Sequence, residues 1–153
     1  MTMNAANGNA RIDRLEDHQL LGKLINTYHW RVDHFDWQGW SECFTEDAVF
    51  EMPDSFGRMA GRTEIRDTCR NGTVGLYKAV QHLIVNLDFE LTGKDTANGR
   101  GNLLFTALPD PSNPAIHHQA GGRYQWEFRR TPCGWRISRA RLDLIWSNNC
   151  PAD

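Results

Sequence analysis

The chain has 153 residues, of which 40% are hydrophobic and 24% charged, a composition typical of one globular domain with its own core. Its 17 Lys and Arg nearly balance its 19 Asp and Glu, so the formal net charge is -2 and neither sign forms a long block. This balance argues against nucleic acid and against a membrane surface as partners.

The longest uncharged apolar stretches, such as residues 79–87, are much shorter than the roughly 20 residues of a membrane-spanning helix. The first ten residues are polar and do not resemble a signal peptide. We therefore predict a cytoplasmic protein with a flexible leader at 1–10, one domain at 11–147 and a tail at 148–153. The cysteines show no C-x-x-C spacing and are predicted to be reduced thiols: Cys43, Cys69, Cys133 and Cys150.

Helical patterns fill the first half of the chain. Apolar residues at helical spacing predict a long amphipathic helix from about Asn9 to Asp33, and a second helix is predicted over residues 37–44. Thr45-Glu46-Asp47 is predicted to end that helix before a strand at residues 48–52, which Pro53 stops. Residues 57–61 are predicted as a turn. A third helix follows at 62–70, capped by Thr63 and closed by Asn71-Gly72.

The pattern changes after Gly72. Four β-branched or aromatic runs follow, each separated from the next by turn-forming residues, and they lie at 79–91, 101–108, 116–128 and 135–146. Such runs are typical of consecutive antiparallel strands. We predict an α+β fold in which three N-terminal helices pack on one face of a strongly curved, mostly antiparallel sheet.

Three segments together carry a family resemblance. Tyr28, Asp33, Trp37 and Phe44 keep a fixed register in the first segment, residues 57–65 read GRMAGRTEI, and residues 81–86 read QHLIVN with an H-x-x-x-N pattern. In this order the chain resembles the SnoaL-like branch of the nuclear-transport-factor-2-like superfamily. That branch includes scytalone dehydratase, bile-acid dehydratase, lindane dehydrochlorinase and polyketide cyclases.

The resemblance covers about residues 11–146 and implies an α+β cone that encloses a deep apolar pocket. In the dehydratase and dehydrochlorinase branches an Asp and a His form a dyad in that pocket, and these fall on Asp33 and His82. The tyrosine of the bile-acid dehydratases falls on Tyr28. The chemistry of such a pair is independent of the family, because a carboxylate that binds one imidazole nitrogen leaves the other available as a general base without a metal.

Other readings of these three residues stay open. Asp33 lies at a predicted helix end, where a charged residue is usually solvated. His82 lies in an apolar strand and is also consistent with a hydrogen-bonded core histidine, and Tyr28 lies on an apolar stripe and is also consistent with a core aromatic. As a catalyst, Tyr28 would donate a hydrogen bond to a developing oxyanion or protonate a leaving group. The catalytic reading requires the Asp33 carboxylate and a His82 ring nitrogen to lie within roughly 2.6 to 3.2 Å of each other, or to be linked by one water, inside an apolar cavity.

Four further residues are candidates for substrate binding. Trp30 and Trp146 would offer flat apolar surfaces, and strand alternation sends one of His117 and His118 inward, with His118 the candidate. Arg139 and Arg141 share a predicted strand face with Ile137, which fits either a substrate anchor, for which Arg141 is the candidate, or ion pairs with carboxylates such as Glu127. Adjacent histidines on a strand diverge, so no metal site is predicted.

These patterns predict a cofactor-free lyase or isomerase that abstracts a proton from a small, largely apolar cyclic or aromatic substrate. Dehydration, elimination, double-bond migration and cyclisation all remain possible outcomes. No G-x-G-x-x-G, P-loop or G-x-S-x-G motif supports a nucleotide cofactor or a serine nucleophile. The alternative is a non-catalytic module, either the small subunit of a ring-hydroxylating dioxygenase or a ligand-binding protein. A homodimer or homotrimer is expected, with contacts from the apolar residues of the last strands.

Overall fold

The long first helix presents its apolar stripe to the sheet. The computed structural model describes residues 2–148, with side chains from residue 8 onward, so Met1, Cys150 and all but the first residue of the predicted tail lie outside the described residues. Helix α1 spans Thr2–Asp33 and buries Leu21, Ile25 and Val32 on one side. The predicted start at Asn9 is wrong, since α1 begins at Thr2; the Asn and Gly residues of the leader are weak helix formers, so the sequence pattern does not show this extension.

The second helix is shorter than predicted. Helix α2 covers only Trp37–Ser41, and its first turn is capped by the Asp36 carboxylate, which accepts a hydrogen bond of 2.9 Å from the Gly39 amide. The predicted helix extends to Phe44, but strand β1 begins at that residue and spans Phe44–Met52. Thr45-Glu46-Asp47 is therefore part of a strand and does not end a helix. Pairing of Phe44 with Ile137 explains the difference, because tertiary pairing overrides the local helical pattern.

The residues predicted as a turn form a short strand. Strand β2 (Gly57–Ala60) pairs antiparallel with β1, and alternation over four residues is too short to be recognised in the sequence. Helix α3 spans Arg62–Thr73 and runs past Asn71-Gly72. Thr63 is not its cap: Gly61 holds that position, at a φ of 91°, and makes no side-chain capping bond.

The rest of the sheet follows the predicted meander. Strands β3 (Ala79–Leu91), β4 (Thr96–Leu108), β5 (His118–Thr131) and β6 (Gly134–Asn148) pair antiparallel in chain order. The order across the six strands is β2-β1-β6-β5-β4-β3, with β1 and β6 parallel. The predicted α+β fold is therefore confirmed: a helical N-terminus packs on a curved, unclosed sheet.

The two faces of this sheet differ in chemistry. We call the side that packs against α1 the inner face; on β5 it carries the buried residues Tyr124, Trp126 and Phe128. Successive side chains of a strand alternate, so the outer face of β5 carries the exposed residues between and beside these three. Those residues are polar or charged: Arg123, Gln125, Glu127 and Arg129. Within residues 2–148, no helix combines the length and the apolar character needed to cross a membrane.

A bulge in β3 keeps its apolar residues on the inner face. The register with β4 shifts between Val85 and Asp88, and Asn86 in that interval has a φ of 56°. Ile84 before the bulge and Leu87 after it both pack against the core, although they are three residues apart. Asn is one of the few residues that tolerate this left-handed conformation.

We expect Asn86→Val to lower the free energy of unfolding by about 1 to 2 kcal/mol, because a β-branched side chain clashes with the backbone at positive φ. Asn86→Gly should leave stability unchanged or slightly higher. Urea denaturation measures both, with Asn98→Val, at an exposed site on β4, as the matched control. Equal stability of wild type and Asn86→Val would show that the bulge does not depend on this conformation.

Candidate active site

Asp33 and His82 lie in direct contact. Asp33 is the last residue of α1, and its Oδ1 lies 2.6 Å from Nδ1 of His82, on β3. The same carboxylate accepts the backbone N–H of His82, with N to oxygen distances of 3.2 and 3.1 Å. The Asp33 side chain is 19% exposed and the His82 side chain 15%. The carboxylate is thus held at a fixed position by both the ring and the backbone of one residue.

This contact determines the tautomer of the neutral His82 ring. A carboxylate only accepts hydrogen bonds, so Nδ1 carries the proton and Nε2 presents a lone pair. None of the side-chain hydrogen bonds among the described residues uses that Nε2. The ring of Phe105, the neighbour of His82 across β3 and β4, lies 4.7 Å away between centroids. Nε2 of His82 therefore presents a free lone pair beside the ring of Phe105.

Tyr28 lies deeper in the core. It packs against Trp40 and Phe44, with ring centroids 5.4 and 5.6 Å away, and burial raises the pKa of its hydroxyl well above the usual range. The neighbouring Tyr124 adds to this rise. Burial chiefly raises the pKa of Tyr124, and the nearby Asp33 carboxylate adds to the rise. Tyr124, which is not among the residues predicted for the site, thus lies near both Tyr28 and Asp33.

His29 is a second histidine in this region that the sequence analysis does not single out. It is only 6% exposed, its Nδ1 donates to the Ile25 carbonyl over 2.9 Å, and its ring centroid lies 5.7 Å from that of His82. Burial lowers its pKa to about 3, and the neighbouring His82 contributes to the shift. One feature of the sequence indicates that His29 is buried: it lies four residues after Ile25 and three before Val32, on the apolar stripe of α1.

His118 is on the inner face at the start of β5. Its Nδ1 lies 3.0 Å from the Tyr77 hydroxyl, and its ring centroid lies 6.0 Å from that of Phe105, which also contacts His82. Burial lowers its pKa. His117 instead interacts with the Pro114 carbonyl, at 2.9 Å. The two adjacent histidines thus diverge as strand alternation requires.

The other candidates for substrate binding are far more exposed than the dyad. Trp30 is 68% exposed and stacks on His34, with ring centroids 4.3 Å apart. Trp146 is 46% exposed and covers Gly121 on the outer face. Arg141 is also on the outer face and binds Asp143 at 2.6 and 2.9 Å.

Two bulges interrupt β6, and the first of them explains why Arg141 lies on the outer face. The register with β5 shifts between Ile137 and Arg139 and again between Leu144 and Trp146. Each bulge inserts one residue and reverses the alternation that the sequence predicts. Arg139 consequently leaves the face of Ile137, and it pairs with Glu51 at 2.7 Å and with Glu127 at 3.8 Å.

A groove of about 940 Å³ crosses the outer face and does not include the dyad. Its lining is largely polar, with charged residues such as Asp88, Arg100 and Glu127. Among the described residues, no three His, Cys, Asp or Glu side chains cluster closely enough to hold a metal ion. Activity without a metal remains a prediction.

The helical N-terminus and the curved sheet agree with one family. A sequence model described as the SnoaL-like domain matches residues 13–141, which is most of the chain. The chain belongs to the SnoaL-like family. The resemblance carried by the three sequence segments is thereby confirmed. No curated protein matches the chain.

Solved structures of the same fold are similar to this SnoaL-like protein at low sequence identity. A candidate scytalone dehydratase from Novosphingobium aromaticivorans is 16% identical, with a TM-score of 0.80 and coverage of 92% of this chain and 91% of that one. Hexachlorocyclohexane dehydrochlorinase LinA-type3 from Novosphingobium barchaimii is 19% identical, with a TM-score of 0.78 and coverage of 94% and 96%. A candidate aromatic ring hydroxylase from N. aromaticivorans is 24% identical, with a TM-score of 0.75 and coverage of 88% and 93%. At these identities the likeness shows the fold alone.

The low pKa of His29 predicts a specific loss of stability in acid. Unfolding restores the ordinary pKa of about 6.5, so between that pH and about pH 3 the unfolded chain binds a proton that the folded chain does not. Lowering the pH therefore favours unfolding, by about 1.4 kcal/mol per pH unit from this group. We expect His29→Gln to lack this contribution.

Urea denaturation from about pH 7 to about pH 4 tests this, with the exposed His34→Gln as control. The control should follow wild type, whereas His29→Gln should lose less stability as the pH falls. If the stability of His29→Gln changes with pH in parallel with wild type, His29 is not buried as a neutral ring.

Proposed function

We propose that this SnoaL-like protein is a cofactor-free lyase or isomerase in which His82, oriented by Asp33, removes a proton from a small, largely apolar ring substrate. The observation that carries the proposal is the 2.6 Å contact between Asp33 Oδ1 and His82 Nδ1. It lies within the range that a working acid-base pair requires.

The proposed reaction begins when Nε2 of His82 takes a proton from a substrate carbon. The electron pair of the broken C–H bond forms a double bond, and it either expels a leaving group from the adjacent carbon or moves charge onto a carbonyl oxygen. Asp33 stabilises the imidazolium that results and keeps the ring in the required orientation. Dehydration, dehydrohalogenation, isomerisation and cyclisation share this first step.

Tyr28 and Tyr124 are proposed to stabilise the negative charge that develops on the substrate. The raised pKa of each hydroxyl keeps it protonated at neutral pH, so each retains an O–H that can donate. A donor positioned in a water-poor environment stabilises an oxyanion strongly. The contribution of the Asp33 carboxylate to the pKa of Tyr124 supports placing that hydroxyl near the base.

An apolar ring is favoured as substrate because aromatic and aliphatic side chains surround the dyad on the inner face, among them Phe105, Ile84 and Leu103. The names of the structural neighbours refer to scytalone and to hexachlorocyclohexane. These two compounds are accordingly the first substrates to test.

The alternative is a non-catalytic module of the same fold, such as the small subunit of a ring-hydroxylating dioxygenase. One structural neighbour bears the name of an aromatic ring hydroxylase. The backbone contact alone would dock α1 on β3, whereas the additional contact of the Asp33 carboxylate with the His82 ring fixes the position of the free ring nitrogen. That contact favours the enzyme.

Wild type is expected to convert at least one of the two compounds, as followed by mass spectrometry of the elimination product. Asp33→Asn and His82→Ala should each lower turnover by about 10²- to 10⁴-fold with little change in melting temperature, since general acid-base groups contribute about that much. The double variant should lose scarcely more than the worse single variant, because the two residues act as a unit.

His34→Ala, next to Asp33 but exposed, is the matched control and should keep wild-type turnover. Near-full activity in both Asp33→Asn and His82→Ala would make the catalytic assignment wrong. Absence of turnover by wild type with both compounds would favour the non-catalytic alternative.

We propose further that the chain forms a homodimer or homotrimer through an apolar row on the outer face. Cross-strand pairing joins Leu83 to Leu104, Leu104 to Gly121 and Gly121 to Trp146, and the three large side chains of this row are exposed. Contiguous exposed apolar residues of this kind mark contact surfaces.

Leu104→Lys, at the centre of this row, should therefore shift the chain towards the monomer, as measured by light scattering after size-exclusion chromatography. A charge buried in an apolar contact is strongly unfavourable. Leu15→Lys, which changes an exposed leucine on α1, is the control and should leave the assembly intact. A wild-type protein that stays monomeric would contradict the proposal.

A further inference from the structure

Nε2 of His29 is a buried polar atom without a partner among the described residues. Most buried polar atoms in folded proteins form a hydrogen bond, so one left unpaired next to a proposed base is unusual. The ring centroid of His29 lies 5.7 Å from that of His82, and His29 belongs to the same helix as Asp33. The atom is therefore a neighbour of the proposed reaction centre that the proposed mechanism does not use.

The chemistry of this nitrogen is determined by the other side of the ring. Nδ1 of His29 lies 2.9 Å from the Ile25 carbonyl, which only accepts, so Nδ1 carries the proton. Burial keeps the ring neutral, since it lowers the pKa to about 3. Nε2 is consequently a hydrogen-bond acceptor, and at neutral pH it has no proton to donate.

A complementary donor lies close by. Trp126 projects from the inner face of β5, its indole N–H is also buried and unpaired, and its ring centroid lies 6.5 Å from that of His29. An unpaired acceptor beside an unpaired donor matches a hydroxyl group, which donates through its hydrogen and accepts through its oxygen. Trp37 and Trp40 also carry unpaired N–H groups, but they belong to α2.

We propose that His29 is a specificity-determining residue of the Asp33–His82 site, and that its Nε2 accepts a hydrogen bond from a hydroxyl group on the substrate ring. The inference rests on the proposed function, since it takes the substrate to bind beside His82. His29 cannot protonate a departing hydroxide, so the hydroxyl that it binds is one that the substrate retains. The substrate class is therefore a hydroxylated ring, such as a phenol or an enol.

The expected discrimination follows from the burial of this atom. Folding has already removed Nε2 from water, so a substrate donor gains a hydrogen bond there without displacing solvent from it. A ring without the donor leaves the nitrogen unpaired, and sites with such groups reject analogues that lack the donor. Preference for a hydroxylated ring over its methyl ether should be about 10- to 100-fold.

The test uses β-naphthol and its methyl ether as probes, with the full chain labelled with ¹⁵N at histidine. We expect β-naphthol to shift the Nε2 resonances of both His29 and His82 and to bind at least about tenfold more tightly than the ether. The ether should shift His82 alone. Equal affinity for the two probes, a His29 resonance that does not move while His82 shifts, or no shift in either histidine would overturn the inference.

Two variants separate recognition from packing. His29→Asn keeps a donor for the Ile25 carbonyl but has no atom at the place of Nε2, so it should bind both probes alike. His29→Gln carries its amide oxygen near that place and should restore the preference for β-naphthol. His34→Asn, at an exposed histidine, should bind as wild type does. A preference that persists in His29→Asn would overturn the inference.

This outcome is independent of the proposed activity. The probe preference is a binding measurement and does not require turnover, whereas the proposed function fails if Asp33→Asn and His82→Ala keep wild-type turnover. A retained naphthol preference together with unchanged turnover in those variants would identify a hydroxyl-binding site without the proposed dyad chemistry.

Discussion

The contact between the Asp33 carboxylate and His82 joins the end of α1 to β3. One oxygen lies against the ring nitrogen and both oxygens lie against the backbone amide, so a single carboxylate docks the helix and orients the ring. A largely buried carboxylate needs such partners, because burial without them is costly. The orientation of the proposed base and the docking of the helix thus share one interaction, while the core around Tyr28 and Ile25 also holds the helix in place.

Bulges decide which side chains accompany this contact. The bulge at Asn86 keeps Ile84 and Leu87 on the inner face of β3, while the bulges in β6 move Arg139 to the outer face. The inner face consequently stays apolar around the dyad, and the charges collect as ion pairs on the opposite side, where solvent screens them.

The same bulges mark the limit of what the sequence predicts. The bounds of β3 and the meander follow from long runs with clear turns between them, and the fold class follows with them. An inserted residue leaves no trace in the alternation of the sequence, so Arg141 is predicted on the face of Ile137 although it lies on the outer face. The pairing of Asp33 with His82 is predicted only by the family resemblance, since no periodicity relates residues so far apart in the chain. His29 was missed because a histidine on an apolar stripe is usually read as core.

Two histidines thus lie side by side with different partners, and the partner determines what each ring can do. His82 binds a carboxylate, which stabilises the positive charge that proton uptake creates. His29 binds a backbone carbonyl within the core, where the charged ring is disfavoured and its pKa falls to about 3. The first can therefore take a proton from a substrate and the second can only accept a hydrogen bond. In the proposed site, one residue type would thereby supply both a base and a neutral acceptor, and the two functions would stay separate because the low pKa of His29 keeps a proton taken by His82 from passing to it.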